Sequence, residues 1–529
     1  MTDAQAVALP PERHIPLKQW LGFLAMVLGM FMAILDIQIV SASISEIQAG
    51  LSASPDEVSY VQTSYLIAEI IMIPLSGWLS RLWSTRWLYT ISALGFTICS
   101  LACATADNLG EMVIFRAMQG FIGGAMIPTV FATSYLIFPG RLRAKVSVLI
   151  GLTATLAPTV GPTLGGWLTQ EFSWHWLFLI NVPVGALVAA CVWSWIDIDK
   201  PNPALAKHFD LLGLIFLAAF LGSLEYVLEE GNRNDWFADP LVRNLAIVSA
   251  VGCVLFFWRM LTRAEPLVDL HAFKNVNFAF GCLFGFLIGI GLYGSIYVIP
   301  LFLGRVRGYN SLQIGETMFV TGVAMFISAP IIGKLAAKVD LRRMLTVGVI
   351  TTGISIWWLG HLTNQSAFWE LLIPQMLRGV GMMLCMLPAN QLALGTLPPH
   401  QIKNGSGLFN LTRNLGGAIG LAGINTVATA REQLHTLHLA EQVTWARSAV
   451  ENAIMGMTLV LQPAMGQNTQ LAIVKRLSLM VERESLTQTY NDVFLVMAAI
   501  YFLSVPLTLL LRKPAAPAGG APRPAADAH

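Results

Sequence analysis

Apolar runs of about twenty residues recur along the whole chain, parted by short polar stretches that hold most of the charge. Each run is long enough to cross a bilayer once as a helix, because a helix satisfies its own backbone where no water is available. The pattern predicts six spans near 20–44, 58–80, 87–106, 112–136, 146–168 and 175–197. Two more follow near 210–228 and 241–262. The last six lie near 277–303, 312–333, 344–362, 369–395, 405–429 and 490–511. These fourteen spans predict an all-α membrane protein. Residues 1–19 and 512–529 should flank it on one side of the membrane, the second as an Ala/Pro/Gly-rich disordered tail. The stretch Met1 to Pro16 is polar and does not resemble a cleavable signal, so the first span is expected to act as the targeting signal.

Composition agrees with that class. The chain is 55% hydrophobic and 12% charged, against about 25% charged in soluble domains, and its mean hydropathy is +0.64. A formal charge of +2 gives no footprint for a nucleic acid. Charge placement is more informative. Lys and Arg mark every second loop, at Arg81 and Arg86, Arg141 to Lys145, Lys200 and Lys207, Arg259 to Lys274, Lys334 to Arg343, Lys403, and Arg512 and Lys513. By the positive-inside rule both termini should be cytoplasmic and the span count even. Arg305 and Arg307 are exceptions on the outer side. Six scattered cysteines lack metal-ligand spacing and read as small buried hydrophobes, so no metal or other cofactor is implied.

The chain repeats itself. Pro74, Gly77, Leu79 and Arg86 recur in register as Pro330, Gly333, Leu335 and Arg342. Gly120, Pro139, Ser147, Leu152, Thr153, Leu156 and Gly161 recur at a second constant offset as Gly379, Pro398, Ser406, Leu411, Thr412, Leu415 and Gly420. Halves with even span counts keep one orientation, so they form parallel repeats, the arrangement in which a substrate site lies between two rocking bundles. One bundle is expected over 20–197 and the other over 277–511. The pair over 210–262 has no counterpart and reads as an insertion.

Charges inside spans are costly and mark candidate functional groups. Asp36 lies deep in the first span, Glu69 in the second, Arg116 in the fourth, Glu225 in the seventh, Arg378 in the twelfth and Arg413 in the thirteenth. Asp36 and Arg116 stand out as a proton-coupling pair. Gln119 lies one turn beyond Arg116, and Gly120, Gly123 and Gly124 clear space nearby. Glu69, Gln119, Glu225 and Arg413 are further coupling or pocket candidates, with a structural ion pair as the alternative for the charged ones and for Arg378. Met26, Met30, Phe31, Met32, Met118 and Met126 are candidates for an adaptable pocket, with helix packing as theirs. In the fifth span, Pro158, Gly161, Pro162, Gly165 and Gly166 combine kinking prolines with a small-xxx-small pair. That predicts a close, movable helix crossing.

These segments resemble motifs of the major facilitator superfamily, and specifically its fourteen-helix drug:proton antiporters of the EmrB type. Leu35-Asp36-x-Gln38-Ile39-Val40 is similar to the first-span motif, with Gln38 where Thr is usual. Arg116-x-x-Gln119-Gly120 is similar to the fourth-span motif associated with proton transfer, and Ala157 to Gly166 to the antiporter motif. Trp174-His175-Trp176 with Asn181-Val182-Pro183-Val184-Gly185, Pro266 to Asn277, and Asn410 to Gly420 match further segments. The resemblance implies two six-helix bundles with two inserted helices, no catalytic activity, and export of hydrophobic or amphiphilic drugs against protons across a bacterial inner membrane. It also implies a cytoplasmic gate at Gly77, Arg81 and Arg86. Here the motif departs from the family, since Arg81 stands in place of the acid and Ser84 in place of a glycine, which removes the usual Asp–Arg latch. The long outer segment 430–489 alternates polar residues with apolar stretches such as Ile454 to Leu461, which predicts amphipathic helices with a disordered loop as the alternative; it resembles a loop that contacts a periplasmic adaptor, and through it an outer-membrane channel. The same fold could instead export one metabolite, siderophore or lipid. An enzyme or receptor is a further alternative, but HExxH, GxSxG and the ATP-binding GxxxxGK[ST] are absent from the sequence.

Overall fold

A computed structural model describes residues 15–513 except 55–56, 264, 337, 445–446 and 466–467. Most of the two terminal segments, 1–19 and 512–529, therefore lies outside the described residues. The helices of the first half are α1 Leu17–Ala42, α2 Ile44–Leu51, α3 Tyr60–Trp83, α4 Thr85–Ala104, α5 Leu109–Gly123, α6 Met126–Ile137, α7 Gly140–Glu171, α8 Trp176–Leu179 and α9 Asn181–Trp195. The inserted pair is α10 Leu211–Glu230 and α11 Pro240–Thr262. The second half comprises α12 Val276–Leu301, α13 Ser311–Ala336, α14 Leu341–Leu359, α15 Phe368–Leu394, α16 Ile402–Gln442, α17 Ser448–Met465 and α18 Thr469–Ser504. No strand occurs among the described residues.

Eleven helical segments are long and apolar enough to cross a membrane, and the bent α7 makes twelve. Helix α14 packs between α15 and α18, and the first part of α16 lies against α12 and α3. With these two the helices match the fourteen-span pattern. Local chemistry sets several starts. Asn108 accepts from Glu111 N at 3.0 Å, Asp210 from Gly213 N at 2.9 Å, and Asp239 from Val242 N at 2.9 Å ahead of Pro240. Each satisfies donors that a helix N-terminus leaves unpaired.

Two spans are not straight helices, and the outer segment is helical as its pattern predicts. The fourth is broken between α5 and α6, with Pro128 in the first turn of α6, where its missing N–H costs little. The fifth bends by 42° between Lys145–Pro158 and Val160–Glu171. The outer segment 430–489 is largely helical: α16 runs on to Gln442, α18 begins at Thr469, and α17 lies between them. Polar residues end a hydrophobic run without ending a helix.

The first half packs as α1 with α7 and α9, and α4 with α5 and α9. The second packs as α12 with α16, and α15 with α13 and α14. The halves meet through α7 against α13 and through α16 against α3 and α6. Helix α10 packs on α3 and reaches α16, so the inserted pair lies over that second seam.

Candidate functional site

The structure brings Asp36 and Arg116 together. Both are fully buried, and Arg116 Nη1 donates to Asp36 Oδ2 at 2.6 Å. The same nitrogen donates to Gln119 Oε1 at 2.7 Å, and Arg116 Nε donates to the Val61 carbonyl at 3.2 Å. Gln119 and Asn181 both donate to Asp36 Oδ1, at 3.3 and 2.7 Å. Both amides also donate to Ser100 Oγ, at 3.1 and 2.9 Å, and that hydroxyl donates to the Phe178 carbonyl at 3.1 Å. The Tyr65 ring lies 4.2 Å from the guanidinium carbon, and Arg116 Nη2 has no hydrogen-bond partner. Side chains from α1, α4, α5 and α9 thus surround one carboxylate.

Glycines permit this assembly, though not by clearing room for Arg116. A Cβ on Gly120 would strike the Tyr65 carbonyl, one on Gly124 would come 2.9 Å from the Glu69 carbonyl, and one on Gly123 would come 2.6 Å from the Phe96 ring. They bring α5 against α3 and α4. Ser100 joins the cluster without having stood out in the sequence, and Asn181, named there only within a resembling segment, had no role assigned. Neutral polar residues in spans are common, and only the spatial meeting distinguishes these two.

Glu69 lies one turn beyond Tyr65 on α3 and is buried, as are Glu225 of α10 and Arg413 of α16. The Arg413 guanidinium sits 5.3 Å from the Phe131 ring, across the seam. Arg378 stands apart. It donates to Thr321 Oγ1 at 2.8 Å, and Thr321 in turn bonds Gln375 at 2.6 Å. At the offset that relates Gly120 to Gly379, Gln375 and Arg378 occupy the places of Arg116 and Gln119 with their identities exchanged.

The fifth-span motif faces α1 of its own half. A Cβ on Gly161 would come 2.5 Å from Gln38 Cβ, and one on Gly165 would come 3.0 Å from the Ile39 carbonyl and Ser43 Oγ. The expected close crossing exists, but it lies within the first bundle. Across the seam, α7 meets α13 where Thr163 abuts Gly315 and Val148 approaches Gly333. Pro158 and Pro162 lie at the 42° bend, and Gly166 follows it.

Gly77 sits at the other seam, where an added Cβ would lie 2.9 Å from Asn404 Cα and Lys403 O. Arg86 lies 3.6 Å from Asp197 and 5.4 Å from the Trp193 ring, within its own half. The link between halves is Lys403, which pairs with Asp199 and donates to the Ser80 carbonyl at 2.8 Å. Asp199 also accepts from Thr85 N at 3.0 Å. Burial lowers the Lys403 ammonium from its ordinary range while Asp199 opposes that shift. Tyr135 adds a bond to the Asn390 carbonyl at 2.9 Å, and Ser406 one to the Pro128 carbonyl at 2.6 Å.

Of the methionines, Met26, Met30, Met32 and Met126 are buried in helix packing, and Met118 is about half exposed on the outside of the bundle. An apolar cavity of about 200 Å³ lies instead between α12, α16 and α18, lined by Ile290, Gly420, Ile424, Val493 and Met497. Among the described residues no group of three metal-ligating side chains occurs.

The family model for the Major Facilitator Superfamily matches residues 26–421. Colistin resistance protein EmrB of Acinetobacter baumannii is 44% identical, over 95% of this chain and 98% of that one. Multidrug export protein EmrB of Escherichia coli K12 is 30% identical, over 94% and 96%. The proton:xylose symporter XylE shares the fold at a TM-score of 0.58 and 13% identity, over 93% and 97% of the two chains.

Proposed function

The chain belongs to the Major Facilitator Superfamily, and on that footing we propose that it is a bacterial inner-membrane carrier exporting hydrophobic or amphiphilic drugs in exchange for protons. The relatives' names as resistance and export proteins support the direction and the substrate class. The observation that carries the coupling is the Asp36–Arg116 pair.

Asp36 is the proton-coupling carboxylate and Arg116 its counter-charge. A proton arriving at Asp36 removes the charge that holds the guanidinium, and Arg116 then leans on its bonds to Gln119, Val61 and the Tyr65 ring. Because Asn181 and Gln119 also grip Asp36, the loss is felt on α5 and α9 together. Coupling needs such a two-state element, one whose equilibrium both proton and substrate can bias. The halves then rock about the seams, with Gly77, Lys403 and Asp199 closing the end that we assign to the cytoplasm, where both termini lie.

The helical segment from the end of α16 through α17 to the start of α18 exposes Leu437, Leu459 and Leu471. We assign it to the periplasm as the contact for an adaptor leading to an outer-membrane channel. The test is a substrate screen in cells stripped of their own pumps, with and without an uncoupler. Resistance that the uncoupler abolishes is expected. Resistance that survives collapse of the proton gradient overturns the antiport.

A further inference from the structure

The inserted pair rides on the first half. Gly222 of α10 faces Ile67 and Ile71 of α3 at 3.4 Å, Thr63 donates to Glu230 at 3.1 Å, and the Phe209 ring ahead of α10 lies 5.0 Å from Trp78. The connector that enters α10 is fastened there too, with Asn202 N donating to the Leu82 carbonyl at 3.1 Å. Helices α10 and α11 are tied to each other. Ser249 donates to the Phe220 carbonyl at 3.0 Å, and a Cβ on Gly252 would come 2.8 Å from Phe220 N. Near the end assigned above to the cytoplasm, Asp210 is 1% exposed and pairs with Arg259 at 2.7 Å and Arg263 at 3.0 Å. At the far end the hairpin touches α16 through an exposed bond from Asn232 to Thr429 at 3.3 Å.

Its exit connector belongs to the other half. Loops ordinarily run over the surface, yet between Glu265 and Asn275 the side chains of Leu267, Val268 and Ala272 are buried. The side chain of Asn404, on α16, takes both main-chain groups of Asp269. Its Oδ1 accepts from Asp269 N at 3.1 Å, and its Nδ2 donates to the Asp269 carbonyl at 2.7 Å. Further on, Asn275 donates to the Thr396 carbonyl at 3.1 Å. A carboxamide carries donor and acceptor side by side, so it can pair with one residue's main chain as a neighbouring strand would. Asn404 is itself 3% exposed and sits on the seam, since a Cβ on Gly77 of α3 would come 2.9 Å from its Cα. Buried main-chain groups need partners, so this clamp gives way only where water can replace it. A seam that opens supplies that water.

We propose that the inserted pair is a strap across the seam between the halves. The hairpin moves with the first half, Asn404 fastens its exit connector to the second, and this end opens only when the bonds between Asn404 and Asp269 let go. Asn404 is then a positioning residue that touches no substrate. The strap rests on the rocking of the halves inferred above, but its test reads distances and not transport.

Spin labels on Trp87→Cys and Arg343→Cys, repeat-equivalent positions in the first turns of α4 and α14, report the gap across this end in the full chain in lipid nanodiscs. Asn404→Ala should raise the fraction at long distance several-fold, with melting showing that the chain is folded. Asp269→Asn removes a charge but keeps both main-chain bonds, and should match the wild type. Three glycines inserted after Glu265 add about 10 Å of reach. They leave the clamp intact and slacken the strap, so they should open this end as Asn404→Ala does. An unchanged distribution in Asn404→Ala overturns the strap, as does opening by Asp269→Asn, which assigns the closure to charge. Opening by Asn404→Ala but not by the insertion also overturns it, because Asn404 then acts through α16 alone. If Asn404→Ala does not fold, the insertion decides, and an unchanged distribution there overturns the strap. Resistance that survives an uncoupler refutes the antiport and leaves these distances as they stand.

Discussion

Arg116 Nη1 lies 2.6 Å from Asp36 Oδ2, with both residues fully buried and 80 positions apart in the chain. No solvent screens the pair, so the charge on Asp36 decides how α1 and α5 attract one another. Asp36→Asn preserves the shape and the amide contacts but fixes the residue in a neutral state. The variant is expected to insert and fold while proton-driven export falls to background. Wild-type export by a well-expressed Asp36→Asn protein removes Asp36 from the coupling.

Arg116 uses one nitrogen for Asp36 and Gln119 and another for the Val61 carbonyl. A lysine carries the charge without the planar fork and cannot reach all three. Arg116→Lys should therefore abolish most export and lower the melting temperature, because disturbing a buried, hydrogen-bonded pair costs about 3–5 kcal/mol when a partner is lost outright. Full activity in Arg116→Lys reduces the requirement to charge alone.

The architecture and half of this cluster could be read from residue order, and the physical reason is cost. Asp36 and Arg116 announce themselves because a charge in an apolar run is expensive, and Gln119 follows by one helical turn. Asn181 and Ser100 carry no such signal, as neutral polar groups are cheap enough to be scattered through every span. Asp199 and Lys403 lie in polar stretches where charge is ordinary, and their pairing across 204 positions is visible only in three dimensions. The Gly161 and Gly165 pair predicted a close approach correctly but not its partner, since spacing records a smooth face and not what rests on it. Helices in the outer segment were legible from its apolar stretches, but not that α16 and α18 run into it unbroken: hydropathy marks the edge of the bilayer, and a helix can continue past it.

Asp199 belongs to the seam that we propose as the cytoplasmic closure. It joins Thr85 of the first half to Lys403 of the second. Asp199→Asn keeps an acceptor for Thr85 and removes the attraction for Lys403. The seam should then open more often, so that a cysteine placed by Ser406→Cys is labelled several-fold faster by a thiol reagent reaching the basic-loop face. Unchanged labelling assigns the closure to Gly77 and the packing around it.

Arg378 is a buried cation on which no carboxylate acts, and two of its nitrogens have no partner. Replacing such a charge by an apolar side chain of similar length is often neutral or stabilising, by about 1–4 kcal/mol where pairs have been replaced. Arg378→Met is expected to melt at or above the wild-type temperature and to export normally. This separates it from Arg116, since at the repeat offset Arg378 stands where Gln119 does and Gln375 where Arg116 does. Lost export in a folded Arg378→Met protein would place the second-half copy in the transport path.

Gly165 lies against the Ile39 carbonyl of α1 and Ser43 just past its end, and Gly161 lies against Gln38, so the smooth face of α7 rests one turn from Asp36. The repeat partner behaves alike, since a Cβ on Gly420 of α16 would come 3.1 Å from Ile290 Cα on α12. In α16, however, Leu421 stands where α7 has Pro162, so the bend belongs to the first half. A leucine at Gly165 cannot be housed without moving α1, and overpacking of this kind costs about 1–3 kcal/mol. The displacement falls beside the Asp36–Arg116 pair and should loosen it. Gly165→Leu is therefore expected to insert and to bind substrate, yet to export several-fold more slowly and leak protons, measured with a pH-sensitive dye in vesicles. Gly161→Leu, with its tighter contact at 2.5 Å, should be worse. Normal export by a correctly inserted Gly165→Leu protein would show that the crossing with α1 yields without consequence and that the motif is a tolerated bend.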